Sequence, residues 1–233
     1  DQTLHDVCLQ DLPVVIAVDR AGLVGSDGET HQGVFDLSFL TMIPNMTVIS
    51  PKNRWEMADM LRFAVDFRHP IAVRYPRGAA YEGMRQFRAP IEYGKSEVLY
   101  EEEDIAVIFV GHMAELADSV RRSLKETGYS CSLINARFVK PLDTELLEEL
   151  AKDHFLFVTI EENVLTGGFG EQVMDYVSRA ALDVHVRNIG IPDEYVEHGN
   201  VEVLRKETGL DRETVVKQIV TDYLRLMENN GKG

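Results

Sequence analysis

The chain has 233 residues, 45% of them apolar, which suits one large or two modest globular domains with a sizeable core. A formal net charge of −15 sets it against nucleic acid and anionic membranes as partners, so a phosphate-bearing ligand would need a local basic pocket. No apolar run reaches membrane-spanning length and no signal peptide is visible; Cys8 and Cys131, far apart and each in or beside an apolar stretch, read as buried free thiols in a reducing cytoplasm.

Residues 3–10 look like the end of a helix already under way, and Asp1 is no initiator methionine, so the chain is expected to be a fragment. Apolar strands then alternate with amphipathic helices, the pattern of parallel α/β layers. The first group holds strands over 14–18 and 47–49. A helix follows from Ser50 as N-cap and Pro51 as first helical residue to about Phe67, and a third strand covers 71–75. From about Gly78 to Pro90 no period is strong, and the stretch reads as a linker. A second α/β unit begins near Tyr93. It has a strand over 105–110, a helix over 113–127 closed by Gly128, and a strand over 130–135. A helix near 144–152 is capped by Asp143, strands cover 155–160 and 184–189, and Asp211 caps a last helix.

The densest polar chemistry lies just after the first strand, where Asp19, Arg20, Asp27 and His31 are interleaved with Gly22, Gly25, Gly28 and Gly33. An open α/β sheet places its ligand beyond the carboxyl ends of its strands, and glycines let the backbone turn tightly there. Spacing alone leaves a long surface loop as an equal reading. The segment Arg74-Tyr75-Pro76-Arg77-Gly78 brackets another strand end with two arginines, whose planar donor forks match phosphate or carboxylate. Arg74 is expected to pair with a structural acid. Arg77 faces the same sheet end as the Asp27–His31 loop if the strands are parallel.

Other candidates are weaker. Gly168-x-Gly170 has Val173 where a dinucleotide fingerprint needs its third glycine, so close helix-to-strand packing accounts better for these glycines. Glu161-Glu162-Asn163 reads as a solvated or interface-facing strand end rather than a catalytic carboxylate pair. His112, His154, His185 and His198 show no metal-ligand spacing and are expected to be structural, and Asp27-x-x-x-His31 alone does not specify a metal.

The motifs Asp19-Arg20-Ala21-Gly22, Asp27-Gly28-Glu29-Thr30-His31-Gln32-Gly33, Ile43-Pro44 and Arg74–Gly78 resemble those of the 1-deoxy-D-xylulose-5-phosphate synthases. The same holds for residues 136–143, Glu161-Glu162-Asn163 with Gly167-Gly168, residues 188–193 and Gly209-Leu210-Asp211, so the resemblance spans nearly the whole chain in order. That family is transketolase-like, a set of transferases dependent on thiamine diphosphate and Mg2+. It joins pyruvate to glyceraldehyde 3-phosphate, with loss of carbon dioxide, for isoprenoid, thiamine and pyridoxal synthesis. The resemblance implies an α/β fold of two mainly parallel sheets flanked by helices. Residues 1–78 would be the later part of a pyrimidine-binding domain, 79–92 a linker, and 93–233 a complete transketolase C-terminal domain. It further implies a cytoplasmic homodimer and a missing N-terminal part of the same protein.

The family's diphosphate- and magnesium-binding motif and its activating glutamate have no counterpart here, so the fragment alone is expected to be inactive. What the resemblance carries over is the substrate side: Asp27, His31 and Arg77 would line the pocket for the phosphorylated aldehyde. Arg77 would hold the phosphate and His31 would serve as the catalytic donor to the aldehyde oxygen. Asp27 would orient the imidazole or accept a substrate hydroxyl. Two other readings stay open: another enzyme of the superfamily (transketolase or a 2-oxoacid dehydrogenase β subunit), or a noncatalytic module that pairs with a companion chain.

Overall fold

In the computed structural model, which describes residues 1–229, the apolar runs become two mainly parallel sheets flanked by helices. The first sheet contains β1 (Val15–Val18), β2 (Thr47–Ile49) and β3 (Ile71–Arg74), and the second half of the chain contributes β7 (Phe138–Lys140). Its order is β1-β3-β2-β7, with β1 and β2 both parallel to β3 and β7 antiparallel to β2. Strand β3 is buried along its whole length, as expected of a central parallel strand covered on both faces.

The second sheet contains β4 (Glu97–Tyr100), β5 (Asp104–Phe109), β6 (Cys131–Asn135), β8 (His154–Val164) and β9 (His185–Ile191) in the order β4-β6-β5-β8-β9. All its pairings are parallel except β4 with β6. The period-two alternation of a strand divides β5 cleanly between two cores. Ile105, Val107 and Phe109 pack with α3 (Ala114–Glu126) and α7 (Arg212–Asn229). Ala106, Ile108 and Val110 pack with α4 (Thr144–Leu150), α5 (Phe169–Arg179) and residues of the first half such as Leu37, Val48 and Ala72. The halves therefore share one continuous apolar core, and β7 carries Phe138 into the cluster formed by Ile49, Met60, Ile71 and Val73.

Several boundaries differ from those read in the sequence. Helix α2 (Arg54–Asp66) begins after Asn53, whose side chain accepts from the Glu56 amide at 3.0 Å, and not at Ser50 and Pro51. Ser50 is drawn elsewhere: its hydroxyl donates to the Arg74 carbonyl at 3.0 Å. Strand β8 runs on past residue 160 and absorbs Glu161, Glu162 and Asn163, all fully buried, so these are not a solvated strand end. Short α1 (Asp36–Thr41), α6 (Val201–Glu207), β4 and β7 lack a readable period and appear only with the tertiary structure. Asp143 and Asp211 do cap α4 and α7, accepting from the amides of Leu146 and Thr214.

Both cysteines are buried free thiols, with burial raising their pKa values, Cys131 to about 12. The stretch 79–92 has no regular element, yet Tyr81, Met84 and Phe87 pack onto the larger core, and Arg137 donates to the carbonyls of Ala89 and Pro90 at 2.9 Å. Among the described residues no helix is long and apolar enough to cross a membrane.

Candidate functional site: a glycine-rich loop at the parallel sheet edge

Because β1 and β3 run parallel, pairing Val18 with Arg74, the segments that follow them leave the sheet at the same edge. The loop after β1 is closed at its base by reciprocal bonds: the Gly22 amide donates to Gly33 at 2.7 Å, and the Gly33 amide donates back at 2.8 Å. Gly22 has φ +76°, and a Cβ on it would lie 1.9 Å from the carboxylate of Glu162, so no other residue fits there. Above this base the Val24 amide donates to the Gln32 side chain at 2.7 Å, and Glu29–His31 form a single 3-10 turn at the tip.

At the tip Arg77 Nη1 meets Asp27 Oδ2 at 2.6 Å, with the side chains 51% and 36% exposed. The pair bridges the two segments and leaves a guanidinium open to solvent. His31 lies on the same loop, but its Nδ1 is 2.9 Å from the Thr30 hydroxyl. The structure thus brings Asp27 to Arg77 and not to the His31 ring. A cavity of about 130 Å³ lies beside this segment, lined by Lys52, Tyr75, Pro76, Gly78, Tyr81 and His112 among others. Arg74, by contrast, is fully buried. It donates to Asp36 at 3.2 Å and to the carbonyls of Gly33 and Glu162 at 2.9 Å, the structural pairing expected of it.

Beneath the loop sits a cluster that sequence spacing did not reveal. Glu162 accepts from the Leu23 amide at 3.0 Å, from His112 Nε2 at 2.7 Å and from Arg205 Nε at 2.6 Å. Burial pushes its pKa up, but the His112 and Arg205 contacts outweigh that and hold it at about 2. Burial lowers the His112 pKa, with the adjacent Glu162 carboxylate opposing it; Nε2, facing that carboxylate, carries the proton it donates, and Nδ1 is buried without a hydrogen-bond partner. Neighbouring Glu161 accepts from the amides of Phe169 and Gly170 at 2.8 Å, and burial raises its pKa to about 7. A Cβ on Gly168 would come 2.6 Å from Glu161, which confirms the packing role of those glycines.

A signal for the cluster was available. His112 follows β5 and Glu162 lies near the end of β8, neighbouring parallel strands, so the reasoning that joined Arg77 to the Asp27 loop applies equally to them. Both buried carboxylates are consumed by the chain's own donors, and among the described residues no group of His, Cys, Asp or Glu is arranged to hold a metal ion.

Residues 94–215 match the family described as transketolase, C-terminal domain, and residues 1–82 match transketolase, pyrimidine binding domain. The 1-deoxy-D-xylulose-5-phosphate synthase of Lachnoclostridium phytofermentans is 51% identical over 220 residues, covering 94% of this chain and 35% of the relative. That of Aquifex aeolicus is 44% identical over 219 residues, again 94% and 35%. The chain thus spans about a third of the length of the curated relatives it matches. Among solved structures, a split-gene transketolase described as an inactive β4 tetramer superposes with a TM-score of 0.84 at 26% identity, over 94% of this chain and 69% of that one. A transketolase from Campylobacter jejuni shares the fold, with a TM-score of 0.67 at 19% identity over 89% of this chain and 31% of that one. With both of its halves matched in order, the chain belongs to the transketolase family.

Proposed function

We propose that this chain forms the acceptor side of a thiamine-diphosphate-dependent synthase that joins pyruvate to glyceraldehyde 3-phosphate, releasing carbon dioxide and forming 1-deoxy-D-xylulose 5-phosphate. The observation that carries the reading is the meeting of Arg77 and Asp27 at one sheet edge, on the loop that also holds His31. The 51% identity to a synthase of that name, against 26% to the split-gene transketolase, favours this reaction over transketolase chemistry.

Each residue has a role its chemistry suits. Arg77 presents a planar fork to the dianionic phosphate, holding the aldehyde so that bond formation becomes effectively unimolecular. Asp27 accepts from one arm of that fork; a phosphate taking its place releases the carboxylate to accept a substrate hydroxyl. His31 donates to the aldehyde oxygen as it gains negative charge under attack by a carbon nucleophile formed outside this chain.

Mg2+ and thiamine diphosphate are held by parts of the enzyme beyond these residues, so the chain alone binds the cofactor weakly and forms no product. The split-gene transketolase chain, inactive as its own tetramer, is the precedent for such a piece. We assign residues 1–78 to the pyrimidine-binding domain, 79–92 to the connection and 93–233 to the C-terminal domain, and infer a cytoplasmic homodimer for the complete enzyme. The test is kinetic: a hybrid in which this chain replaces the matching region of the Lachnoclostridium phytofermentans synthase is compared with its Arg77→Ala variant. Loss of a charge-assisted phosphate contact, about 2–3 kcal/mol, should appear as a raised KM for glyceraldehyde 3-phosphate with the pyruvate KM unchanged. An equal rise in both would refute the phosphate role.

A further inference from the structure

The loop bearing Asp27 and His31 is held by the far half of the chain, and the Glu162 carboxylate supplies the tie nearest its base. One oxygen of Glu162 takes the Leu23 amide at 3.0 Å and His112 Nε2 at 2.7 Å, while the other takes Arg205 Nε at 2.6 Å. Its backbone carbonyl accepts Arg74 Nη2 at 2.9 Å, and the same nitrogen reaches the Gly33 carbonyl at 2.9 Å. Residue 162 is thus tied to both ends of the closed Gly22–Gly33 base, and the carboxylate lies against Gly22 where a Cβ would collide. Two further ties come from the same half: Gln32 Nε2 donates to the Glu197 carbonyl at 3.1 Å, and the Gly199 amide donates to the Gly25 carbonyl at 3.2 Å. Only residues 26–31 lie beyond these ties, and they include Asp27 and His31.

A carboxylate is required for this geometry. It offers acceptor positions on both oxygens, enough for an amide, an imidazole and a guanidinium together. An amide side chain in its place has one acceptor oxygen and turns an NH2 group toward one of those donors.

We propose that Glu162 is a positioning residue for the acceptor site: its carboxylate, braced by His112 and Arg205, fixes the Leu23 amide and through it the placement of Asp27 and His31 relative to Arg77. The proposal rests on the acceptor reading above. A cluster that merely glued the two halves together would act on global stability and on both substrates alike.

Amide hydrogen exchange, read by NMR on this chain, measures the tie directly. Glu162→Gln should speed exchange at Leu23 by about tenfold or more, as expected for a lost charge-assisted bond, while the Val107 and Ile108 amides in β5 stay protected. If Glu162→Gln fails to fold, Arg205→Met, at the 32%-exposed outer edge of the cluster, should give the same change in weaker form. His112→Gln, which keeps an N–H donor, should preserve Leu23 protection that His112→Ala loses.

In the hybrid synthase, Glu162→Gln and Arg205→Met should raise the KM for glyceraldehyde 3-phosphate about fivefold or more, with pyruvate KM within about twofold. Unchanged Leu23 exchange in a folded variant, or pyruvate and aldehyde KM rising together, overturns the proposal. Arg77→Ala separates the two levels. If it raises the aldehyde KM and the Glu162 and Arg205 variants do not, only the positioning role falls; if Arg77→Ala leaves that KM unmoved, the acceptor reading falls and takes the positioning role with it.

Discussion

Two buried ionic assemblies cross between the halves of this chain, and they are finished to different degrees. Around Glu56, Lys52 Nζ reaches Glu56 at 2.9 Å and Glu97 at 2.6 Å, while Arg137 reaches the same two carboxylates at 2.8 and 3.0 Å. Asn135 donates to both oxygens of Glu56 at 3.0 Å, and the remaining Arg137 donors go to backbone carbonyls. Every polar side-chain atom of that network has a partner. Around Glu162, Arg74 Nη1 and His112 Nδ1 are buried without one, and the adjoining Glu161 titrates near neutrality. A fully satisfied network rigidifies a fold, whereas unpaired buried groups each carry a desolvation cost and persist where something besides stability is selected. The Glu56 assembly is a staple; the Glu162 assembly lies directly beneath the candidate site.

The largest effect should come from breaking the staple. Lys52→Met leaves Glu56 and Glu97 buried with only Arg137 to balance them, and should cost about 3–5 kcal/mol in urea unfolding. Leu23 exchange in the folded state should be unaffected, which would separate the two assemblies cleanly. If the variant loses less than about 1 kcal/mol, the network is not the staple described.

The next effect depends on pH. Glu161 has its pKa raised from 4.5 to about 7, chiefly by burial. Below pH 4.5 it is protonated in both native and unfolded states; between 4.5 and 7 the unfolded chain releases the proton and the native state keeps it. Stability therefore falls as pH rises through that window, by an amount on the order of 3 kcal/mol. Glu162, held at about 2, works in the opposite sense: its contribution is present above 4.5 and is lost as pH falls toward 2. Urea midpoints of the parent and Glu161→Gln at pH 5 and pH 8 should diverge in favour of the variant at the higher pH. A constant difference would contradict the burial account.

At the loop tip, His31→Ala in the hybrid synthase should lower kcat by a factor of about 100 or more while sparing pyruvate binding. His31→Gln, which keeps a donor but moves no proton, separates orientation from acid catalysis. Near-normal turnover in both would leave His31 as a loop-structuring residue. The smallest effect belongs to Asp27→Asn on stability: the Asp27–Arg77 pair is exposed, so the loss should be below about 1 kcal/mol by thermal or urea unfolding.

How far these regions could be read from sequence follows the distances over which their partners act. Residues 105–110 declared a buried strand because every one is apolar, and Asp143 and Asp211 declared their caps because the capped amides lie three residues on. Arg77 and Asp27 are 50 residues apart, yet their meeting was legible because parallel strands deliver successive loops to one edge. Glu162 is 50 residues from His112 and 43 from Arg205, and two acids at a strand end read as solvated until those partners are in place. The start of α2 at Asn53 rather than Ser50 has a related reason. Ser50-Pro51 and Asn53 are both plausible openings, and the choice fell to Asn53 because Glu56 reaches back to the Lys52 amide at 2.7 Å while Ser50 bonds Arg74. Strand β7 is three residues long and exists only because the first sheet has an edge for it to join.

The central claim is that Arg77 recognises the phosphate of the aldehyde, and the most direct test varies residue and phosphate together. In the hybrid synthase, kcat/KM is measured for D-glyceraldehyde 3-phosphate and for unphosphorylated D-glyceraldehyde, with Arg77 and with Arg77→Ala. The account predicts that the substitution lowers kcat/KM for the phosphorylated substrate by about 30- to 100-fold, in line with loss of a charge-assisted contact, and leaves the unphosphorylated one within about twofold. An equal loss for both aldehydes would contradict it, because Arg77 would then be shaping the loop and not holding the phosphate.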